Sequence, residues 1–285
     1  MMHTPVYDSR CEGSFLRLPR DLIRARELLI SLVWKDLRVR YRYAVMGFLW
    51  AIIEPLAFTL ILSFVFSFVF GQRIASDAGS AGPPYAVVLL CGLIFWQYFS
   101  LSLTSATTSV VTNGNLIKKV RFAREVIPIS ACCMPLVQLG LGFIMLIIAH
   151  LIMGGNLGFT ILYVLPLFAI QFILTLGLAL FLACFHVHYR DVGNLVNVLL
   201  LLFFYGTPVF YPLELVRSAP LPQWIKTLYM ANPMTGLLTG YRQILFEQRF
   251  PETALILWPL LCAVAAILTG SWLFRRFSTT MADYI

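Results

Sequence analysis

Charged side chains are scarce in this chain. Asp, Glu, Lys and Arg make up 12% of its 285 residues, where a soluble domain carries roughly 25%. Acidic residues are fewest, 13 against 21 basic ones, and only Glu54 falls well inside an apolar run. Ion-coupled carriers and pumps place ionisable groups inside the membrane, so that class finds little support. Glu54, followed by Pro55, reads instead as a helix-start residue bonding a neighbour or water. A phosphate-binding loop is also lacking. Its pattern ends in Gly-Lys-Ser/Thr, and the one Lys followed by Ser or Thr, Lys226 before Thr227, has Ile225 in the glycine's place. The six cysteines contain no C-x-x-C motif and suggest no disulfide framework. His186 and His188 stand two residues apart, which puts them on different faces of a helix and argues against a shared metal. Neither a Ser/His/Asp set nor a pair of intramembrane carboxylates is present, so no catalytic residue, cofactor site or metal site is expected. The first 20 residues are polar and lack an apolar segment, so a cleaved leader is not expected. There is no internal repeat to suggest an inverted-repeat carrier.

What the chain has instead is apolar side chains, 60% of the total. A core of this size cannot hide them from water, and the bilayer is their natural solvent. A spanning helix needs about 20 mostly apolar residues. Six stretches qualify: Gly47 to Phe70, Ala86 to Thr107, Ile129 to Met153, Phe159 to Phe185, Leu195 to Tyr211 and Leu255 to Phe274. The fifth is the shortest and holds Gly206 and Pro208, so a kink or an unwound end is expected there. These are continuous runs, not the short alternating segments of a barrel. The expectation is an all-α, polytopic membrane protein with six transmembrane helices.

The basic residues set the orientation. With both termini cytoplasmic, 16 of the 21 lie inside, among them Arg24, Arg26, Lys35, Arg38, Arg40 and Arg42 before the first span and Lys118, Lys119, Arg121 and Arg124 in the second connection. Arg73, Arg217, Lys226, Arg242 and Arg249 remain outside. So lopsided a distribution predicts both termini inside. The net charge of +8 then reflects topology and anionic headgroups, and a nucleic-acid partner is not expected.

Three segments outside the spans carry pattern. After an irregular tail over 1–19, residues 20–46 read as an amphipathic helix. Leu29 and Val33, with Ile30, Trp34, Leu37 and Tyr41, sit at helical spacings, and Lys35, Arg38 and Arg42 lie on other faces. A basic helix with Trp and Tyr on its apolar stripe suits the headgroup layer. The connection Val111 to Pro128 mixes Leu116, Ile117, Val120 and Phe122 with four cations. Those apolar groups need a surface, which headgroups or a partner protein could supply. Between spans five and six, residues of about 212–250 form two moderately apolar helical pieces, Leu213 to Met230 and Met234 to Phe246, divided by Asn232-Pro233. Each is too short and polar to span, so a re-entrant or interfacial hairpin on the outer face is expected. At the inner end of span four, Arg190 and Asp191 are placed to position the next turn by ion pairing.

Four segments, in order, resemble the permeases of the type-2 ABC exporters, specifically those that export O-antigen, capsule or teichoic-acid chains. They are KDLRVRYRYAVMGFLWAIIEP (Lys35 to Pro55), NLIKKVRFAREVIP (Asn115 to Pro128), YRDVGNLV with FYGTPVFYP (within Tyr189 to Pro212) and NPMTGLLTGYRQ (Asn232 to Gln243). The resemblance covers about Leu28 to Phe274. The chain departs from it at Ala123, where the family usually has Pro after Phe, and at Ala44, where Ser is frequent.

The resemblance implies a homodimer of this chain in the bacterial inner membrane, with two copies of an ABC ATPase that bind ATP and Mg, and a lipid-linked polysaccharide as cargo. It implies a coupling helix at about 113–125 that docks on the ATPase through Asn115, Leu116, Ile117, Lys118, Lys119, Arg121, Phe122, Arg124 and Glu125. Trp34, Lys35, Arg38, Arg40, Tyr41 and Arg42 become the interface or gate helix, and spans one and five the chief walls of a conduit. Phe64, Phe68, Phe203, Phe204, Tyr205, Pro208, Phe210 and Tyr211 are the conduit candidates, because sugar C–H faces stack on aromatic rings while other membrane aromatics face lipid or headgroups. A type-2 permease for a drug or small lipid is the alternative. A membrane acyl- or glycosyltransferase would need the intramembrane His, Asp or Glu clusters this chain lacks.

Overall fold

The computed structural model describes residues 26–41, 49–65, 84–119, 122–278 and 281. Every regular element among them is helical. In order they are α1 (Arg26–Tyr41), α2 (Trp50–Phe64), α3 (Tyr85–Thr112), α4 (Gly114–Lys119), α5 (Val126–Cys133), α6 (Pro135–Ile152), a 3₁₀ turn (Phe159–Tyr163), α7 (Val164–His188), α8 (Val192–Tyr205), α9 (Leu213–Ser218), α10 (Gln223–Ala231), α11 (Pro233–Leu245) and α12 (Thr253–Ser278). Four helical segments are long and apolar enough to cross a membrane: α3, α5 with α6, α7 with its 3₁₀ lead, and α12. The chain is thus a multi-pass membrane protein. α2 and α8 are apolar but shorter, and α8 ends at Tyr205, just before Gly206 and Pro208.

Proline and asparagine set most boundaries. Pro84 holds extended backbone before α3, and Asn113 closes that helix with its amide on the Ser109 carbonyl at 2.9 Å. Pro135 divides α5 from α6 because it lacks the N–H that would continue the ladder. The outer segment departs from the expected two pieces. Leu213 to Met230 is broken at Ala219–Pro222 into α9 and α10, since Pro220 and Pro222 hold the chain extended. Asn232 caps α11, its Oδ1 accepting from the Met234 N–H at 3.0 Å, and Pro233 takes the first helical position.

α3 is the centre of the molecule, buried along most of its length. It packs against α5, α6, α7 and α8, with α2 beside it. The main apolar cluster joins it to α7, α11 and α12. Inside that cluster Gln171 donates to the Phe95 carbonyl at 2.8 Å, and the Tyr241 hydroxyl donates to Gln171 Oε1 at 2.8 Å. Tyr241 also stacks flat on Phe95, centroids 3.6 Å apart. α7, α11 and α3 are thereby pinned by side chains whose polar ends satisfy one another, as an apolar surrounding demands. A second cluster gathers Leu32 of α1, Val110 at the end of α3, Ile117 of α4, Val126 and Ile127 of α5, Ala183, Cys184 and Val187 of α7, and Phe274 of α12.

α7 and α12 share the closest helix pairing. A Cβ added to Gly270 would lie 2.1 Å from the Gly177 carbonyl oxygen, and one on Gly177 would lie 2.3 Å from the Ala266 carbonyl carbon. Two backbones meet with no side chain between them, the usual way for membrane helices to gain packing without a hydrophobic drive. Gly270→Ala is therefore expected to push α7 and α12 apart and cost about 1–3 kcal/mol, as overpacking does. Gly140→Ala, where an added Cβ meets nothing within 4 Å, is the neutral control. Thermal unfolding of the two variants in detergent checks both outcomes.

Candidate functional site

Two regions at opposite ends of α3 collect the polar contacts. The first surrounds α4. Its apolar side chains find a surface within the chain itself: Ile117 is buried in the second cluster, and Leu116 and Phe122 pack against it. Ala123, at the family's proline position, is buried there too. Asn115, Lys118 and Lys119 remain exposed on α4. The segment is tied down on both sides. Before it, Lys35 Nζ of α1 donates to Asn113 Oδ1 at 2.7 Å. After it, Glu125 accepts from Arg275 of α12 at 3.2 Å, with both side chains mostly buried, and the Arg124 guanidinium donates to the Ser278 carbonyl. A charge-assisted pair out of water holds far better than an exposed one.

α1 packs on this region through Leu32, with Leu28 and Leu29 beside it. Leu32 lies outside the stripe expected from the sequence. Of that stripe Leu29 packs inward, whereas Ile30 and Trp34 are exposed, Trp34 at 63%. Arg38 is exposed on the same helix, and the backbone of Arg40 and Tyr41 closes α1. Arg42, Arg121 and Phe68 lie outside the described residues. In the turn after α7, Arg190 and Asp191 are both exposed and make no ion pair with each other, and Glu54 is exposed with no partner among the described residues.

The second region is the turn after α8. Residues 206–212 leave the helix, and Thr207, Pro208 and Val209 are buried. Their carbonyls need donors that water cannot reach. Three residues from other elements supply them. Tyr85, at the start of α3, donates to the Phe210 carbonyl at 2.7 Å. Asn232 donates to Thr207 Oγ1 at 2.7 Å and to the Gly206 carbonyl at 3.3 Å. Arg242 of α11 donates through its two terminal nitrogens to the carbonyls of Tyr211 at 2.9 Å and Val209 at 2.6 Å. Gly92 makes this approach feasible, because a Cβ there would sit 2.3 Å from the Val209 oxygen and 3.0 Å from Arg242. The charge distribution expects Arg242 on the outer side and leaves its burial open. It is 8% exposed, and the sign of that is the pair Leu238 and Leu245, which share its face of the helix.

The aromatic candidates divide between these surroundings. Phe204 packs on Trp96 and Phe210, and Tyr211 donates to the Tyr205 carbonyl at 2.8 Å while its hydroxyl accepts from Tyr229 at 3.2 Å. Phe204, Phe210 and Pro208 thus belong to the packing of the turn. Phe64, Phe203 and Tyr205 are exposed, Tyr205 at 61%. The outer faces of α2 and α8 are exposed and apolar along most of their lengths.

The arrangement is one of tethers and faces, with no converging His, Cys, Asp or Glu triplet among the described residues. Known proteins are similar in sequence over three quarters of the chain or more. The O-antigen export system permease protein RfbA of Myxococcus xanthus is 32% identical over 271 residues, 95% of this chain and all of that protein. Two proteins of the same name from Klebsiella pneumoniae are 33% and 30% identical over 223 residues, 76% of this chain and 80% of theirs. The ABC-2 type transporter family matches residues 27–246. That match runs from α1 to the residue after α11 and takes in α4 and the turn after α8, so the chain belongs to the ABC-2 type transporter family of membrane proteins.

Proposed function

We infer that this chain is the permease subunit of an ATP-driven exporter that moves a lipid-linked polysaccharide, of O-antigen or capsule type, across the bacterial inner membrane. The observation that carries this reading is the similarity, over 95% of the chain, to a relative named as an O-antigen export permease. A permease for a drug or small lipid is not favoured by those relatives.

On this reading six helices span the membrane, the four long ones with α2 and α8 as short spans one and five. α1 lies in the cytoplasmic headgroup layer, with the exposed Ile30 and Trp34 toward lipid. The α9–α11 segment is the hairpin at the outer face, and both termini are cytoplasmic. Two copies of the chain meet along α2 and α8, whose exposed apolar faces need cover, and enclose the conduit. Two ABC ATPase subunits bind ATP and Mg and do the hydrolysis. The permease contributes force transmission and a path, not chemistry.

The coupling segment is supported by its tethers. A load applied at α4 reaches α1 through Lys35 and Asn113, and α12 through Glu125 with Arg275 and through Arg124 with Ser278. The exposed Asn115, Lys118 and Lys119 are the residues free to meet the ATPase. Arg242, Asn232 and Tyr85 hold the turn that closes span five at the outer side.

Deleting the gene and assaying glycan on the surface and inside the cell tests the whole reading. Surface glycan should disappear while lipid-linked glycan accumulates within, and an unchanged surface refutes polysaccharide export. The charge-reversed double variant Lys118→Glu/Lys119→Glu should insert and fold normally but retain about a tenth or less of the co-purifying ATPase, each reversal costing roughly 1 kcal/mol or more at a close charged contact. Full co-purification would remove α4 from the docking surface. Phe122→Asp, by contrast, should lower folded yield, because it puts a charge against the second cluster. Arg242→Leu strips donors from two carbonyls and should cost roughly 2–4 kcal/mol of stability, read as a lowered Tm in detergent, with Arg242→Lys intermediate.

A further inference from the structure

The exposed face of α8 is not uniform. About 100° separates successive residues of an α-helix, so Asn194, Asn197, Leu201 and Tyr205 share one stripe, whereas Leu195, Leu199 and Leu202 share the next. Val196 and Leu200 face the chain's interior, and all seven other positions are exposed. One exposed stripe is thus wholly aliphatic and suits lipid tails or a helix of a second copy. The other carries two amides and a phenol hydroxyl. Neither asparagine has a hydrogen-bond partner among the described residues. An unsatisfied amide facing hydrocarbon is costly, so this stripe needs a polar neighbour beyond the described residues of this chain.

α2 repeats the pattern. Glu54, Phe58 and Ile61 share an exposed stripe, while Pro55 and Thr59 face inward. Depth along α3 orders these groups. Gly193 lies beside His186 and Thr108, near the end of α3 that holds the second cluster, and Phe204 packs on Trp96. Pro55 shares a small cavity wall with Gln97, Tyr98 and Leu101, which places Glu54 near the middle of α3. From the second-cluster end outward the exposed polar groups therefore run Asn194, Asn197, Glu54, then Tyr205. No lysine or arginine is present in α2 or α8.

We propose that Asn194, Asn197, Glu54 and Tyr205 form a ladder of hydrogen-bonding groups for the hydroxyls of a moving glycan, and that this glycan carries no net negative charge in its repeat. The inference rests on the exporter reading above and narrows its substrate. Amides and a phenol exchange hydroxyl partners as the chain slides, giving passage without tight binding. A polyanionic chain would meet a carboxylate and no cation along the same walls, an arrangement that repels it.

Two measurements test the ladder in the assembled permease–ATPase complex. First, with the native cysteines replaced by alanine, single Asn194→Cys, Asn197→Cys, Leu195→Cys and Leu199→Cys variants are treated in membranes with a charged, membrane-impermeant thiol reagent. Thiols react as thiolates and need water, so positions 194 and 197 should label at least about tenfold faster than 195 and 199. Equal rates at all four overturn the ladder and leave the exporter reading intact. Second, the Asn194→Leu/Asn197→Leu variant should still co-purify with the ATPase and with a second tagged copy, yet export at most about a tenth of the wild-type glycan, the scale of one or two lost hydrogen bonds. Wild-type export overturns the proposal, as does separation of the two copies, which would make the asparagines an interface contact. Composition analysis of the exported polymer should find an uncharged repeat, and an acidic repeat refutes the substrate assignment. Absence of any glycan export by the unsubstituted complex refutes the exporter reading itself, whatever the labelling shows.

Discussion

The turn after Tyr205 is the constraint around which the end of the molecule at the start of α3 is arranged. A helix satisfies its own backbone, and a helix that stops inside a packed apolar body does not. Here the carbonyls of Gly206, Val209, Phe210 and Tyr211 are met by Asn232, Arg242 and Tyr85. Each donor comes from a different place: the cap of α11, the middle of α11 and the first turn of α3. The guanidinium suits the task because its planar fork reaches two carbonyls at once from one buried side chain. Remove these donors and α8 would have to continue or the turn would have to reach water. Gly92 follows from the same requirement, since any side chain there would occupy the space of the Arg242–Val209 contact.

The other end of the molecule solves a different problem with charge. α4 is only six residues long, too short to hold its shape by helical propensity. Its burial in the second cluster and the tethers on either side fix it instead. The tethers involve Lys35, Arg124 and Arg275, three of the cations that the proposed orientation puts on the cytoplasmic side. On the proposed orientation, basic residues that favour one side of the membrane also hold the segment once folded. Lys118 and Lys119 are left exposed by that arrangement while Ile117 is buried, which is why the proposed reading gives them the contact with the ATPase.

Much of this was legible in the sequence because the bilayer leaves strong marks. Runs of about 20 apolar residues gave the four long helices nearly at their observed bounds, and Gly206 with Pro208 marked the early end of α8. Less legible was whether a side chain outside the runs faces in or out. The charge distribution puts Arg242 on the outer side but says nothing of its burial, whereas Leu238 and Leu245, four residues before it and three after, have the spacing of a buried face. Pro220 and Pro222 were in plain view but yielded to the apolar pattern around them, and α9 and α10 were read as one piece. On α1 the expected stripe divides: Leu29 packs inward with Leu28 and Leu32, which the stripe did not include, while Ile30 and Trp34 face outward. Tethers between distant segments, such as Glu125 with Arg275, leave no local trace at all.

α3 joins the two ends. Tyr85 in its first turn bonds the Phe210 carbonyl, and Asn113 beyond its last turn accepts from Lys35. Its 28 residues span about 42 Å at 1.5 Å per residue, and it carries no proline to hinge it. A helix whose ladder is complete neither shortens nor bends sharply without one of a few causes, so axial displacement at one end arrives at the other. Side-chain contacts along its flanks, Phe95 on Tyr241 and Gln171 beneath it, pass the same displacement to α7 and α11. On the proposed reading, the two tethered regions are then one mechanical unit. The segment that meets the ATPase and the turn that closes span five cannot move independently, because both are fastened to the same buried rod.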